Sequence, residues 1–281
     1  MPDSADRAAE VAKVTETYYD SDDADRFYFN IWGGEDIHIG IYDDTDDIRT
    51  ASRLTVERMA RTAEPLNEST RVLDIGAGYG GSARYLAKSY GCPVTCLNIS
   101  RIQNATNERL NAEQGLDGLI DVHYGNFEDL PEADESYDLV WSQDAILHSG
   151  RKQTVMNEVF RVLKPGGRLV FTDPMQADDC PDGVLGPVLA RIHLDNLGSF
   201  AAYKELAANA GFEHEADDVM TPQLRSHYNR VREELTGDYE RMCGLASKDY
   251  VDRMIQGLEN WVKAADSGYL AWGIQSFRKP A

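Results

Sequence analysis

The chain has 281 residues, 42% of them hydrophobic, which is enough for one large α/β domain with a sizeable core. It carries 28 Lys and Arg against 48 Asp and Glu, and the formal net charge of −20 excludes nucleic acid and anionic membranes as favourable partners. The acidic residues form several short clusters, so the charge predicts adaptation to high cytoplasmic salt, with an ordinary acidic protein as the alternative.

The cysteine usage and the N-terminal sequence predict the compartment. The 4 cysteines form no CxxC pair, and a chain of this size needs no disulfides to fold. The N-terminus MPDSADRAAEVAKV is polar, and no stretch approaches the roughly 20 apolar residues of a membrane span. We expect a cytoplasmic monomer with no membrane partner and, because the 6 His are scattered, no metal site.

Residues 1–65 are predicted to form an N-terminal helical lid. Segments 4–19 and 50–63 have helical spacing. The sequence between them, RFYFNIWGGEDIHIGIYDD, is aromatic and too rich in glycine for one regular element, so we expect an ordered loop.

Residues 66–281 are predicted to form a Rossmann-like domain. Short apolar runs, among them RVLDI, PVTCLNI, YDLVWS and GRLVFTDP, alternate with helical segments, which is typical of βαβ repetition and a parallel sheet. Pro165 in LKPGGRLVF cannot continue a helix, and it predicts a helix end and a tight turn before the fifth strand. A helical cap follows at about 180–264, with a weak strand near 213–219 and a final strand at 269–279.

The loop LDIGAGYGG at 73–81 follows the first predicted strand. Gly76, Gly78 and Gly81 satisfy G-x-G-x-x-G, a pattern that nicotinamide and flavin sites share. Asp74 lies two residues before Gly76, where a carboxylate would repel a phosphate but attract a cation. S-adenosylmethionine has no phosphate and carries an ammonium and a sulfonium, so it is favoured over a dinucleotide or a turn without a ligand.

Four motifs, LDIGAGYGG, NFEDLP, YDLVWSQDAILH and RVLKPGGRLVFTDP, resemble those of class I methyltransferases in order and spacing. The resemblance covers about residues 70–175 and implies an α/β sheet of seven mostly parallel strands with the last antiparallel. It also implies that Asp74, Gly76 and Gly78 hold the methionine part of the cofactor, and that Asn98 binds the ribose hydroxyls. Many members have Asp or Glu at that position, whereas an amide accepts one hydrogen bond and donates another.

The same resemblance implies the rest of the cofactor pocket. Asn126 and Phe127 match positions that contact adenine, although Phe127 could instead fill the core. The remaining candidates are Gln103, Gln143, His38 and Tyr42.

A closer resemblance, to the sarcosine and dimethylglycine N-methyltransferases that make glycine betaine in salt-tolerant organisms, extends from about residue 17 to 279. It rests on WSQDAILHS, NISRIQN, WGGEDIHIGIY and WGIQSFRK. It implies methyl transfer from S-adenosylmethionine to a small zwitterionic amine, with S-adenosylhomocysteine as product and a role in osmoprotection. Two alternatives stay open: a larger apolar acceptor of quinol, sterol or lipid type, and a non-catalytic cofactor-binding subunit.

Candidate acceptor-site residues follow from this chemistry. His148 is a candidate for positioning or for accepting the amine proton, and Arg191 for binding the acceptor carboxylate. Pro174 and Met175 in TDPM resemble the dimethylglycine-using branch. Further donors and aromatic wall residues are His193, His227, Tyr228, Tyr28, Trp32 and Trp141, each of which could equally belong to a packing network.

Overall fold

The computed structural model describes residues 20–192 and 194–281 and contains nine strands. They are β1 (Val72–Ile75), β2 (Val94–Asn98), β3 (Ile120–Tyr124), β4 (Tyr137–Gln143), β5 (Leu163–Thr172), β6 (Met175–Gln176), β7 (Glu213–Val219), β8 (Leu270–Ala271) and β9 (Gly273–Arg278). Seven form one sheet in the order β3-β2-β1-β4-β5-β9-β7. Within this sheet β9 runs antiparallel to both of its neighbours and the other pairs are parallel, while β6 and β8 form a separate antiparallel pair. The predicted fold class is confirmed.

Ten α-helices surround this sheet in the described part of the chain. They are α1 (Asp22–Phe27), α2 (Ile48–Ala63), α3 (Gly81–Tyr90), α4 (Arg101–Glu113), α5 (Lys152–Val162), α6 (Gly186–Ile192), α7 (Phe200–Ala210), α8 (Thr221–Gly237), α9 (Tyr239–Cys243) and α10 (Lys248–Asp266). A π-helical turn spans Tyr28–Trp32 and a 3-10 turn spans Ile146–His148. None of the described helices is long and apolar enough to cross a bilayer.

Both faces of the sheet are buried at its central strands, which explains why β1, β2 and β4 are mainly apolar runs, whereas the edge strands β3 and β7 are largely exposed. Every residue of β1 and β2 is buried. On one face, Met59 of α2 and Leu86 of α3 share an apolar cluster with the sheet, and on the other face Met156 of α5 and Tyr203 of α7 do so. A third cluster joins the described part of the lid to α8 and α10 of the cap.

The start of β5 has the irregular turn predicted at LKPGG, because Leu163 pairs with Tyr137 but Arg168 pairs with Leu139, and Gly166 has a φ of +80°. α5 ends at Val162 and β5 begins at the next residue, Leu163. Gly166 donates its N–H to the Lys279 carbonyl at 2.9 Å, and Lys279 donates to the Gly167 carbonyl at 2.8 Å. These two hydrogen bonds to Lys279, the residue after β9, hold the Pro-Gly-Gly bulge against the sheet.

We predict that Gly80→Ala destabilises the protein more than Gly115→Ala. Both glycines have positive φ, +77° and +68°, so an alanine costs about 1–2 kcal/mol at either position. A Cβ at Gly80, which precedes α3, would lie 2.1 Å from Asn107 Oδ1, whereas a Cβ at Gly115 would meet nothing within 4 Å. Overpacking should add about 1–3 kcal/mol for Gly80→Ala, measured by urea unfolding. Equal losses in the two variants would contradict the predicted overlap between the new Cβ and the Asn107 side chain.

Candidate cofactor and acceptor site

A cleft of about 740 Å³, including its open mouth, lies at the carboxyl ends of β1 to β4. This is where parallel α/β sheets bind ligands, because the loops after neighbouring strands meet there. Ile37 of the lid closes part of the cleft. Predicted cofactor residues that line it are Gly76, Gly78, Asn98, Gln103, Asn126, Phe127 and Gln143, and the predicted acceptor residue His148 lines it too.

The glycine loop passes close to the end of β4. Gly76 and Gly78 have φ of +77° and +54°, a region that favours glycine. A Cβ on Gly76 would lie 2.4 Å from the Cβ of Ala145, so a larger residue would push the loop away from the cleft wall. The glycine pattern therefore has a steric cause in this fold.

A buried arginine in α3, Arg84, holds this loop in place. Its Nη2 donates to the Tyr79 carbonyl at 2.6 Å, and its Nε donates to Glu35 of the lid at 2.8 Å. Nη1 donates to the side-chain oxygens of Asn107 and Asn111 in α4, at 3.1 and 2.9 Å. The sequence analysis missed Arg84, although an arginine within the otherwise apolar start of a helix was a visible signal.

Two buried carboxylates lie behind the loop. Burial raises the pKa of Asp74 to about 7, and the nearby charge of Asp36 adds to the shift. Burial alone would also raise the pKa of Asp36, but His38, Arg53 and Arg84 lower it below the usual value. Arg53 lies 2.6 Å from Asp36 Oδ2. Basic neighbours therefore offset the charge of Asp36, and Asp74 is the carboxyl behind the loop that can attract a cation when it is ionised.

Amides form the wall on the side of β2. Asn98 donates its Nδ2 to Gln103 Oε1 at 2.9 Å, which leaves Asn98 Oδ1 as an acceptor and Gln103 Nε2 as a donor. Gln103 Nε2 is buried and has no hydrogen-bond partner among residues 20–192 and 194–281. Such a donor is normally satisfied by a ligand or a water molecule. An acceptor beside a donor fits hydroxyl groups, which both give and take hydrogen bonds.

Gln143 is oriented in a similar way at the end of β4. Its Oε1 accepts from the Ser82 hydroxyl and, at 2.9 Å, from Trp141 Nε1. Its Nε2 is buried and unpartnered within the described chain. The cleft thus combines carboxylates at the glycine loop with amides elsewhere, a set that fits S-adenosylmethionine, cationic at its methionine end and neutral at its ribose and adenine.

Asp144, which the sequence analysis did not select, joins the cleft to the lid. Its Oδ2 accepts the Ile39 N–H at 2.7 Å and its Oδ1 accepts Trp272 Nε1 at 3.0 Å. Burial raises its pKa. Its φ of +51° is unusual for a residue other than glycine, and such strain concentrates at functional sites. Asp144 fixes where the lid segment crosses the end of β4.

Several predicted acceptor residues lie together between lid and cap rather than along the cleft. The Trp32 ring is 5.0 Å from that of His227 and 5.7 Å from that of Tyr228. His227 Nδ1 accepts the Gly40 N–H at 3.1 Å and lies 2.9 Å from the Tyr42 hydroxyl, so the ring proton resides on Nε2. Burial, aided by His38, lowers the pKa of His227 to about 3. The imidazole is therefore neutral.

Three other predicted acceptor residues, Tyr28, Trp141 and Met175, are buried in the apolar clusters. Tyr28 packs in the same lid and cap cluster, with its ring 5.3 Å from that of Trp32. Trp141 and Met175 are buried in the two sheet clusters, and Trp141 supports Gln143 instead of lining the cleft. Its position in β4 turns the ring toward α2 and α3, away from the cleft.

Five further candidates do not reach the cleft or are not described. Pro174 is buried directly after β5. His38 and Tyr42 lie behind the cleft wall, in contact with Asp36 and His227 respectively. The side chain of Arg191 and the whole of His193 lie outside the described residues.

Comparison with known proteins agrees with this geometry. A family model for a methyltransferase domain matches residues 73–171. The sarcosine/dimethylglycine N-methyltransferase of Aphanothece halophytica is 54% identical, over 98% of this chain and 99% of that protein. The enzyme of the same name from Halorhodospira halochloris is 51% identical, over 98% of both chains.

A solved structure shows the same relationship. It belongs to a protein of Galdieria sulphuraria assigned as a sarcosine dimethylglycine methyltransferase, 42% identical, with a TM-score of 0.88. The match covers 94% of this chain and 99% of that one. The chain therefore belongs to the sarcosine/dimethylglycine N-methyltransferase family of S-adenosylmethionine-dependent methyltransferases.

Proposed function

We propose that this protein methylates the nitrogen of sarcosine and dimethylglycine, producing glycine betaine as an osmolyte and S-adenosylhomocysteine as the second product. The observation that carries the proposal is the buried Asp74 beside the Gly76 turn, in a chain that matches the relatives of this name over nearly its full length. The net charge of −20 suits the salt-rich cytoplasm in which such an osmolyte is needed.

The cleft residues divide the binding of the cofactor among them. Asp74, with Gly76 and Gly78, binds the cationic methionine end, and Asn98 with Gln103 binds the ribose hydroxyls. Asn126 and Phe127 contact the adenine. Other candidate contacts are Gln143, His38 and Tyr42. When bound, the cofactor supplies an electrophilic methyl group on its sulfonium.

The acceptor must present a neutral amine in line with that methyl group, so this chain has to align the amine, exclude water and receive a proton. His148 lines the cleft and is the candidate for positioning the amine or taking its proton. Among the described residues that line the cleft there is no Arg or Lys, which leaves Arg191 as our candidate for binding the acceptor carboxylate.

The acceptor side of the site would be completed by residues of the lid and cap. The aromatic faces of Tyr28, Trp32 and Tyr228 suit a quaternary ammonium product. Other candidates for this side are Pro174, Met175, Trp141, His193 and His227. We propose residues 1–65 as the lid over a domain of residues 66–281, working as a cytoplasmic monomer.

Methyl transfer to sarcosine and to dimethylglycine is the expected result when the purified protein is incubated with labelled S-adenosylmethionine. Parallel reactions contain glycine and an apolar quinol, and the labelled products are separated by chromatography. The small polar amines fit a cleft with carboxylates and amides in its walls, whereas the quinol does not. No label on either sarcosine or dimethylglycine would contradict the proposal, and label on the quinol would favour the apolar acceptor.

Asp74 should make cofactor affinity dependent on pH. Because its pKa is raised to about 7, the carboxyl is increasingly protonated below pH 7 and attracts a cation less, so the Kd for S-adenosylmethionine should rise from pH 8 to pH 6. Calorimetry at pH 6, 7 and 8 measures this. Asp74→Asn should bind at least about tenfold more weakly at pH 8 and lose that dependence.

The asparagine variant is also the matched control, because the α-amino group of the cofactor titrates identically in both proteins. An equal pH dependence in the variant and the wild type would show that the cofactor, and not Asp74, is the titrating group.

A further inference from the structure

A buried chain of hydrogen bonds connects the cap to the wall of the cleft. Tyr203 of α7 donates its hydroxyl to Oδ2 of Asp173, the residue that follows β5. The other carboxylate oxygen, Oδ1, accepts the N–H of Leu147 at 3.1 Å. Asp173 and Tyr203 are both 0% exposed. Neither residue lines the cleft, yet Leu147 directly precedes His148, which does.

Lys152 of α5 and Glu128 also hold the 3-10 turn that carries His148. Lys152 Nζ donates to the carbonyls of Leu147 and Ser149, at 3.2 and 2.9 Å. The Ser149 hydroxyl donates to Glu128 Oε1 at 2.6 Å, and Glu128 lines the cleft. The place of His148 is thus set by contacts to its two neighbours in the chain.

Tyr203 is also attached to the cap loop before α7. A Cβ on Gly198 would lie 2.4 Å from the Tyr203 ring, so the loop lies flat against that ring. Gly198 accepts the N–H of Gln176 in β6 at 2.8 Å. The ring also packs edge to face on Phe171 of β5, with centroids 5.1 Å apart. Tyr203 therefore contacts the cap loop and the sheet, and its hydroxyl reaches the carboxylate that holds the His148 turn.

Asp173 is buried among other ionisable groups, and the Tyr203 hydroxyl satisfies one of its two carboxylate oxygens. Groups that face the carboxylate are Tyr203 from α7, Lys152 from α5 and Asp144 from the end of β4. Burial raises the pKa of Asp173 and lowers that of Lys152, and the opposite charges of the two groups partly offset both shifts. Without the hydroxyl, Oδ2 would be a buried acceptor with no donor, and the carboxylate would have to move to find one.

We propose that Tyr203 and Asp173 are positioning residues that keep the cap loop and the His148 turn in one fixed arrangement, and so align the acceptor for methyl transfer. The inference rests on the proposed function and extends it to residues that touch neither cofactor nor acceptor.

Tyr203→Phe tests the proposal because it removes the hydroxyl and keeps the ring that packs on Gly198 and Phe171. We expect kcat with sarcosine to fall about tenfold, while the Kd for S-adenosylmethionine changes less than about twofold. Tyr137→Phe is the matched control. Tyr137 is 2% exposed and its hydroxyl donates to Glu132 at 2.7 Å, at the opposite end of β4 from the cleft.

Tyr137→Phe should lose about as much thermal stability as Tyr203→Phe but keep the kcat of the wild type. If Tyr203→Phe keeps kcat within about twofold, or if Tyr137→Phe loses as much, the role is merely structural and the proposal is overturned. Asp173→Asn adds a rescue test, since an amide can accept from Leu147 and donate to the Tyr203 oxygen. Its kcat should stay within about threefold of the wild type, and a loss equal to that of Tyr203→Phe would overturn the proposal.

Hydrogen exchange provides a readout independent of the acceptor. Peptides spanning residues 144–150 should exchange faster in Tyr203→Phe than in the wild type, because the Leu147 amide loses its fixed acceptor. The same peptides should be unchanged in Tyr137→Phe. Unchanged exchange in Tyr203→Phe would overturn the positioning role. Because hydrogen exchange needs no acceptor, this result does not depend on whether sarcosine and dimethylglycine are the substrates.

Discussion

The Arg84 guanidinium is the contact on which the cofactor end of the structure depends. It joins the glycine loop, the lid and α4, which are distant in sequence, through four hydrogen bonds from one buried cation. A buried charge of this kind is tolerated only when its donors are satisfied, and here the partners are the segments that shape the cleft. The loop that Gly76 and Gly78 allow is thereby fixed relative to the lid, and the lid residue Ile37 can form a stable part of the cleft wall.

The distribution of charge then determines which ligand the cleft suits. Asp74 lies behind the glycine loop, where an ionised carboxylate attracts a cation, whereas Asn98 and Gln103 after β2 and Gln143 at the end of β4 provide hydrogen-bonding groups. A dinucleotide, with phosphates at the glycine loop, would meet repulsion there. A ligand that is cationic at one end and carries hydroxyls at the other meets complementary groups along its length.

The amino-acid sequence predicts the sheet well because strands covered on both faces must be apolar throughout, and the runs at β1, β2, β4 and β5 have that texture. In a strand that is apolar throughout, however, the sequence does not show which face of the sheet each side chain occupies. Trp141 could therefore not be assigned to the core or the cleft from its neighbours.

Asp74 was predictable because it is adjacent to the glycines. Asp36, Arg84 and Asp144 were not, because their roles arise only when the lid folds back onto residues about 50 to 100 positions away. Trp32 was likewise predicted as an aromatic wall or packing residue, but the sequence did not identify His227 as its neighbour.

The neutral His227 at the junction of lid and cap has a consequence for acidification. Its pKa is about 3 in the folded protein against 6.5 for an ordinary imidazole, so any state that brings the ring to water takes up a proton that the closed state refuses. As the pH falls below about 6.5, proton uptake therefore favours separation of the lid from the cap. Acidification therefore acts first on the free energy of this junction, through the single proton that His227 takes up when its ring reaches water.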